Sequence, residues 1–142
     1  MGGDGTVSRR KKAVTIGIVS ILALAAVWSL WLMPAPTISA EQIPQLTITA
    51  LPSPPTTKTV TNRDEIGSFV AMLRSVPLHR SPHLGEMAGW QFKIETNTYL
   101  YGTIFITGNE VRIHGFWYAT DADIVGKMEE LYRKLPETPF QE

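Results

Sequence analysis

The sequence predicts an α+β protein: an N-terminal transmembrane helix followed by a small two-layer domain, an antiparallel sheet covered by two helices. Three observations lead there. Residues 13–33 are an unbroken apolar run, two later segments carry apolar stripes at helical spacing, and the segments between them alternate apolar and polar residues. The expected order beyond the membrane segment is β-α-β-β-β-α.

The apolar run, AVTIGIVSILALAAVWSLWLM, has no charged residue in 21 positions. As a helix it would be about 31 Å long, close to the hydrocarbon thickness of a bilayer. Trp28 and Trp31 stand toward its far end, where indoles favour the lipid–water boundary, and Pro34 and Pro36 stop the helix. Arg9, Arg10, Lys11 and Lys12 precede it, so a single-pass arrangement is expected, with the N-terminus cytoplasmic and the larger part extracytoplasmic. A cleaved secretory signal competes with this reading, because Ile38-Ser39-Ala40 ends in a small residue. Against it, the run exceeds the roughly 7–15 residues of a signal core, and Ile38 is large for the third position before a cut. The run is also apolar all round, unlike the striped helix of a soluble core.

Composition narrows the function classes. The chain has 142 residues, enough for one folded domain, and its 13 Lys/Arg balance 13 Asp/Glu, so nothing in the net charge draws it to nucleic acid. Cysteine is absent, which excludes a disulfide scaffold, a thiol nucleophile, a cysteine zinc site and an acylated-cysteine anchor. A domain outside the cytoplasm must then rely on its apolar core.

Taken along the chain, residues 1–12 are expected as an unfolded cytoplasmic tail, too short for a catalytic domain, and residues 34–45 as a proline-bearing tether. Residues 46–136 should form the extracytoplasmic domain and 137–142 a C-terminal tail. Leu46–Ala50 alternates as a strand, Pro52, Pro54 and Pro55 break it, and Lys58–Val60 is a second short strand. Asn62, with Glu65 three residues on, opens a helix whose stripe is Ile66, Phe69, Val70 and Leu73, ending before Pro77. Residues 79–89 read as loop. Trp90–Glu95 alternates strictly, with Trp90, Phe92 and Ile94 on one face. Tyr99–Thr107 is the next strand, Gly108-Asn109 a hairpin turn, and Glu110–His114 the returning strand. Thr120 or Asp121 should cap a last helix with the stripe Ile124, Val125, Met128, Leu131, Tyr132 and Leu135, closed by Pro136.

Motifs with chemistry are few. His79, His83 and Glu86 are the nearest approach to a metal cluster, yet Pro82 and Gly85 oppose a helix there and no HExxH occurs. No GxSxG or phosphate-binding glycine loop is present. The acidic pairs Asp64/Glu65 and Asp121/Asp123 fall at helix starts, where carboxylates favour the dipole, and Glu129/Glu130 fall off the apolar stripe. Neither cofactor nor catalytic residue is expected. Among the aromatics Trp90, Tyr99, Tyr101, Phe116, Trp117 and Tyr118, most should face the core. Trp117 and Tyr101 are the expected exposed members, and together with His114 they are the candidate interaction surface.

Two stretches, TVTNRDEIGSFVAMLRSV and YLYGTIFITGNEVRIHGFWYATDADIVGKMEELYRKL, resemble small membrane-anchored or lipoprotein domains of spore-forming Gram-positive bacteria, mostly of unassigned function. The shared layout covers residues 46–135. A threonine-rich strand enters a capped helix, strands follow, and a glycine-aromatic pair runs into an acid-capped helix. Many such proteins carry a lipidated cysteine, where this chain has an apolar helix. The resemblance implies an α+β domain outside the cytoplasm and carries over no catalytic residue. The sequence thus predicts a membrane protein held in the lipid bilayer through residues 13–33, presenting a non-catalytic interaction domain to a membrane protein or envelope polymer. The alternatives are an envelope hydrolase or metal enzyme using His79, His83 and Glu86, and a structural accessory subunit of a membrane complex.

Overall fold

A computed structural model describes residues 4–51, 55–83, 85 and 89–137. The chain divides into two units, Met1–Met33 and Pro34–Glu142. The first is a single helix, α1 (Asp4–Trp31), and its stretch Val7–Trp31, cationic at 9–12 and apolar from 13 onward, is long and apolar enough to cross a membrane, with none of the apolar part buried inside the protein. It begins earlier than the apolar run, so residues expected as unfolded tail are helical. Once a helix is nucleated, each added residue gains one hydrogen bond for one residue fixed, which favours such extension.

The second unit is an antiparallel sheet with helices on one face. Its strands are β1 (Leu46–Ala50), β2 (Thr56–Val60), β3 (His79–Arg80), β4 (Phe92–Glu95), β5 (Thr103–Thr107), β6 (Glu110–Ile113) and β7 (Phe116–Ala119), in the order β2-β1-β4-β5-β6-β7-β3. The helices are α2 (Arg63–Arg74) and α3 (Ile124–Lys134). Alternation decides which side chains meet them. Leu46, Ile48, Phe92, Ile94, Ile104, Ile106, Val111 and Ile113 point inward and are buried against Ile66, Phe69, Val70 and Leu73 of α2 and Ile124 and Met128 of α3.

The caps follow local chemistry. Asn62 accepts from Asp64 N at 2.8 Å. At α3 the cap is Asp123, whose carboxylate accepts from Gly126 N at 2.9 Å, rather than Thr120 or Asp121. Thr120 instead accepts from Ala122 N at 3.1 Å and shapes the approach to the helix. At the other end Lys58 Nζ donates to Tyr132 O and Leu135 O at 2.9 and 2.7 Å, placing a cation on the α3 carbonyls from the sheet edge.

Three further departures from the expected elements shape the sheet and its approach, besides the start of β5 at Thr103 instead of Tyr99. First, the expected junction at HGFWYA is a hairpin. His114 and Gly115 both take positive φ (51° and 83°), the pair of left-handed residues that a two-residue primed turn needs, and Phe116–Ala119 returns as β7. β3, in the segment read as loop, then pairs His79 with Ala119 and Arg80 with Tyr118. Second, the tether is largely docked. Ile38 and Ile43 are buried in the core, Arg74 donates to Ile38 O at 2.6 Å, and Arg63 donates to Ile43 O at 3.0 Å. Third, Gln91 N reaches Ile106 O at 2.9 Å while Phe92 pairs with the same Ile106. Two residues therefore face one there, and Trp90 loses the alternation expected of it and turns to the opposite side of the sheet, beside Phe105.

Candidate interaction face

Both helices lie on one face of the sheet, so the other face is the natural place for function. The register sets a row of side chains across it. Thr57, Thr49, Lys93, Phe105, Arg112 and Trp117 stand opposite one another from β2 to β7. The β1–β2 half of the row is threonine, the centre is a Lys93–Glu95 ion pair at 2.9 Å, and the β5–β7 half is aromatic and cationic. Half-buried Trp90 packs at a tilt to Phe105, ring centroids 6.3 Å apart.

At the β7 edge the chain after β3 folds over this face. Ser81 N donates to Trp117 O at 2.9 Å, and the His83 ring stacks on Trp117 with centroids 4.8 Å apart and planes 14° apart. Trp117 is consequently only 4% exposed, which corrects the expectation that it is an exposed platform residue. A strand residue opposite the core is exposed only if nothing crosses it, and here residues 81–83 do. Tyr101 is corrected too. It lies in the loop between β4 and β5, buried, where its hydroxyl accepts from Ser39 N at 3.0 Å and donates to Gln42 Oε1. It fastens the chain before β1 instead of meeting a partner. His114 is exposed, at the hairpin tip.

Glu110 organises the edge. Ser81 Oγ donates to its Oε1 at 2.7 Å, and His83 Nδ1 lies 3.1 Å from its Oε2. The Ser81 hydrogen bond pulls the Glu110 carboxyl below its usual range, partial burial pushes back, and the His83 bond and charge pull it further down. Sequence reading missed this group, because 27 residues separate Glu110 from His83 and only strand pairing brings them together. Two residues along β6, Arg112 holds its guanidinium 5.8 Å from the Trp117 ring centroid, and its buried Nε has no acceptor among the described residues.

Among the described residues the alternative metal set is not seen gathered. His83 is engaged with Glu110, His79 is on β3, Glu86 lies outside the described residues, and no group of three His, Asp or Glu side chains is gathered among the described residues. Ser81 Oγ donates to Glu110 and not to the imidazole that would have to deprotonate it for nucleophilic attack. A guanidinium lacking one acceptor, a histidine ring and two half-buried aromatics suit a partner that brings a carboxylate or phosphate along with flat or apolar surface.

Comparison with family models, with curated proteins and with solved structures finds no match to this chain.

Proposed function

We propose that this is a single-pass membrane protein with its N-terminus in the cytoplasm, presenting a small non-catalytic interaction domain on the extracytoplasmic side. The partner, a membrane protein or an envelope polymer, meets the uncovered sheet face around Arg112, Phe105 and Trp90. The observation that carries this reading is α1: its apolar part, residues 13–31, is exposed throughout and none of it is buried within the protein, so a bilayer is the surroundings that would satisfy it. The cations at 9–12 favour the stated orientation. Anchoring holds the domain at high local concentration near its partner, so a modest interface suffices.

The test uses a photo-crosslinking residue at position 105 of the full chain in native membranes, with position 127 on the exposed side of α3 as control. A discrete adduct at 105, absent at 127 and lost on Arg112→Ala, is the expected result. Equal adducts at both positions, or one at 105 that ignores Arg112, would sink the proposed face. The Glu110–His83 contact gives the enzymatic alternative its best support. That reading requires zinc to raise the melting temperature of the purified protein, and an unchanged melting temperature removes its metal-dependent form.

A further inference from the structure

We propose that the end of the domain formed by the β4–β5 loop and the β6–β7 hairpin rests against the lipid headgroups, with Tyr99, Leu100 and Phe116 reaching into the interface. This rests on the membrane-spanning reading of α1. β4 and β6 run in the same direction, so the loop 96–102 and the turn 114–115 lie at one end of the sheet. Among the described residues, that end carries the unit's large exposed apolar side chains other than Leu51: Tyr99 is 100% exposed, Leu100 57% and Phe116 46%. The core gains nothing from them.

The path of the chain says what they face. Tyr101, in the same loop, holds Ser39, and Ile38 shares an apolar recess with Ile113 at the end of β6. The chain coming from α1 therefore joins the domain at this end. Ile38 is buried and Ala35 already packs against the core, so at most the five residue steps from Met33 to Ile38 span a gap, and these reach no more than about 17 Å. Pro34 and Pro36 lie within that span and stiffen it. The headgroup region on one side of a bilayer is about 6 Å deep, so a domain on so short a lead stands beside the lipid surface rather than away from it.

Composition agrees with that position. Residues 31–40, 96–102 and 113–118 contain no Asp, Glu, Lys or Arg, and His114 is their one imidazole. The Arg80 guanidinium, 4.0 Å from the Phe116 ring centroid, adds a cation beside the tip. Of the nearby acids, Glu95 closes β4 beside the loop and is ion-paired with Lys93 at 2.9 Å, while Glu41, Asp64 and Glu65 belong to the 3-10 turn Ala40–Gln42 and the start of α2. Tyrosine and phenylalanine with leucine, on a loop and a hairpin turn with no carboxylate of their own, are the side chains that partition into a headgroup layer.

The cysteine-free chain allows a direct test on the full protein in phosphatidylcholine vesicles containing a lipid with a nitroxide near its headgroup. An environment-sensitive fluorophore is attached to single cysteines at Leu100→Cys, Tyr99→Cys, Asn109→Cys at the opposite end, and Ala26→Cys in α1. Tyr99, Leu100 and Asn109 are exposed, so labelling leaves packing intact. Expected is loss of most of the emission at 99, 100 and 26, with emission at 109 retained. Quenching at 26 but not at 99 or 100 overturns this inference and leaves the anchor standing. Equal quenching at 100 and 109 also overturns it, as unspecific adsorption. No quenching at 26 would remove the spanning reading and this inference together.

Discussion

The two faces of the sheet come from the same strands in alternation, yet they are built on different rules. The inner face is isoleucine-rich and closed: Ile48, Ile94, Ile104 and Ile106 are each 0% exposed beneath α2 and α3. The outer face in the same strands is threonine, lysine, arginine and aromatic, partly exposed, and held by scattered charge and ring contacts that are densest at the β7 edge. The inner face supplies folding energy through area removed from water and close packing. The outer face leaves a guanidinium nitrogen without an acceptor among the described residues and aromatic rings half covered, features that cost stability and suit binding.

That contrast can be broken at several points. The largest effect is expected on the inner face: Ile94→Ala should lower unfolding free energy by about 4 kcal/mol, as for deleting a buried aliphatic side chain. Thr103→Ala on the outer face should change it by at most about 0.5 kcal/mol. Denaturant titration of both variants measures the gap, and equal losses would erase the distinction. Next comes Trp117→Ala. Because residues 81–83 cover this ring, the substitution should cost about 3 kcal/mol in the same titration, rather than leaving the fold untouched as an exposed platform residue would.

The smallest effect concerns Glu110 and is read as pH dependence. Its carboxyl titrates lower in the folded protein than its ordinary value of 4.5, so folding is favoured by the ionised form. That contribution is fully present above the ordinary value and fades as pH falls through the lowered folded value. Glu110→Gln should therefore cost about 1 kcal/mol near neutral pH, and the difference from the parent should shrink in acid. Melting temperatures of the two proteins across this range give the comparison. A gap that does not change with pH would mean the Ser81 and His83 contacts contribute nothing as a charged set.

Local pattern made much of this fold legible. The stripe Ile66, Phe69, Val70, Leu73 and the Gly108-Asn109 turn carry their meaning within a few residues, and both stand as read. What escaped depends on distant partners. β3 is two residues long and exists only because β7 offers it an edge. β7 itself depended on seeing His114 as a left-handed turn residue, a conformation histidine tolerates better than most but does not announce. Tyr101 looked like a strand residue and proved to be a clasp on Ser39, 62 positions earlier. The burial of Trp117 has the same origin, since no periodicity reveals that a loop will cross a strand. The candidate face inherits this limit. Its row of side chains is readable only after the register is known, and Glu110 gains its role from Ser81 and His83 across that register.

The central claim is that α1 spans a bilayer and puts the two-faced domain outside the cytoplasm. Labelling with a membrane-impermeant maleimide in intact cells tests it most directly, using Ser8→Cys before the apolar helix and Asn109→Cys on the domain. Position 109 should be labelled in intact cells, and position 8 only after the membrane is opened. Labelling of position 8 with protection of 109, or recovery of the labelled domain in the soluble fraction without α1, would contradict the claim.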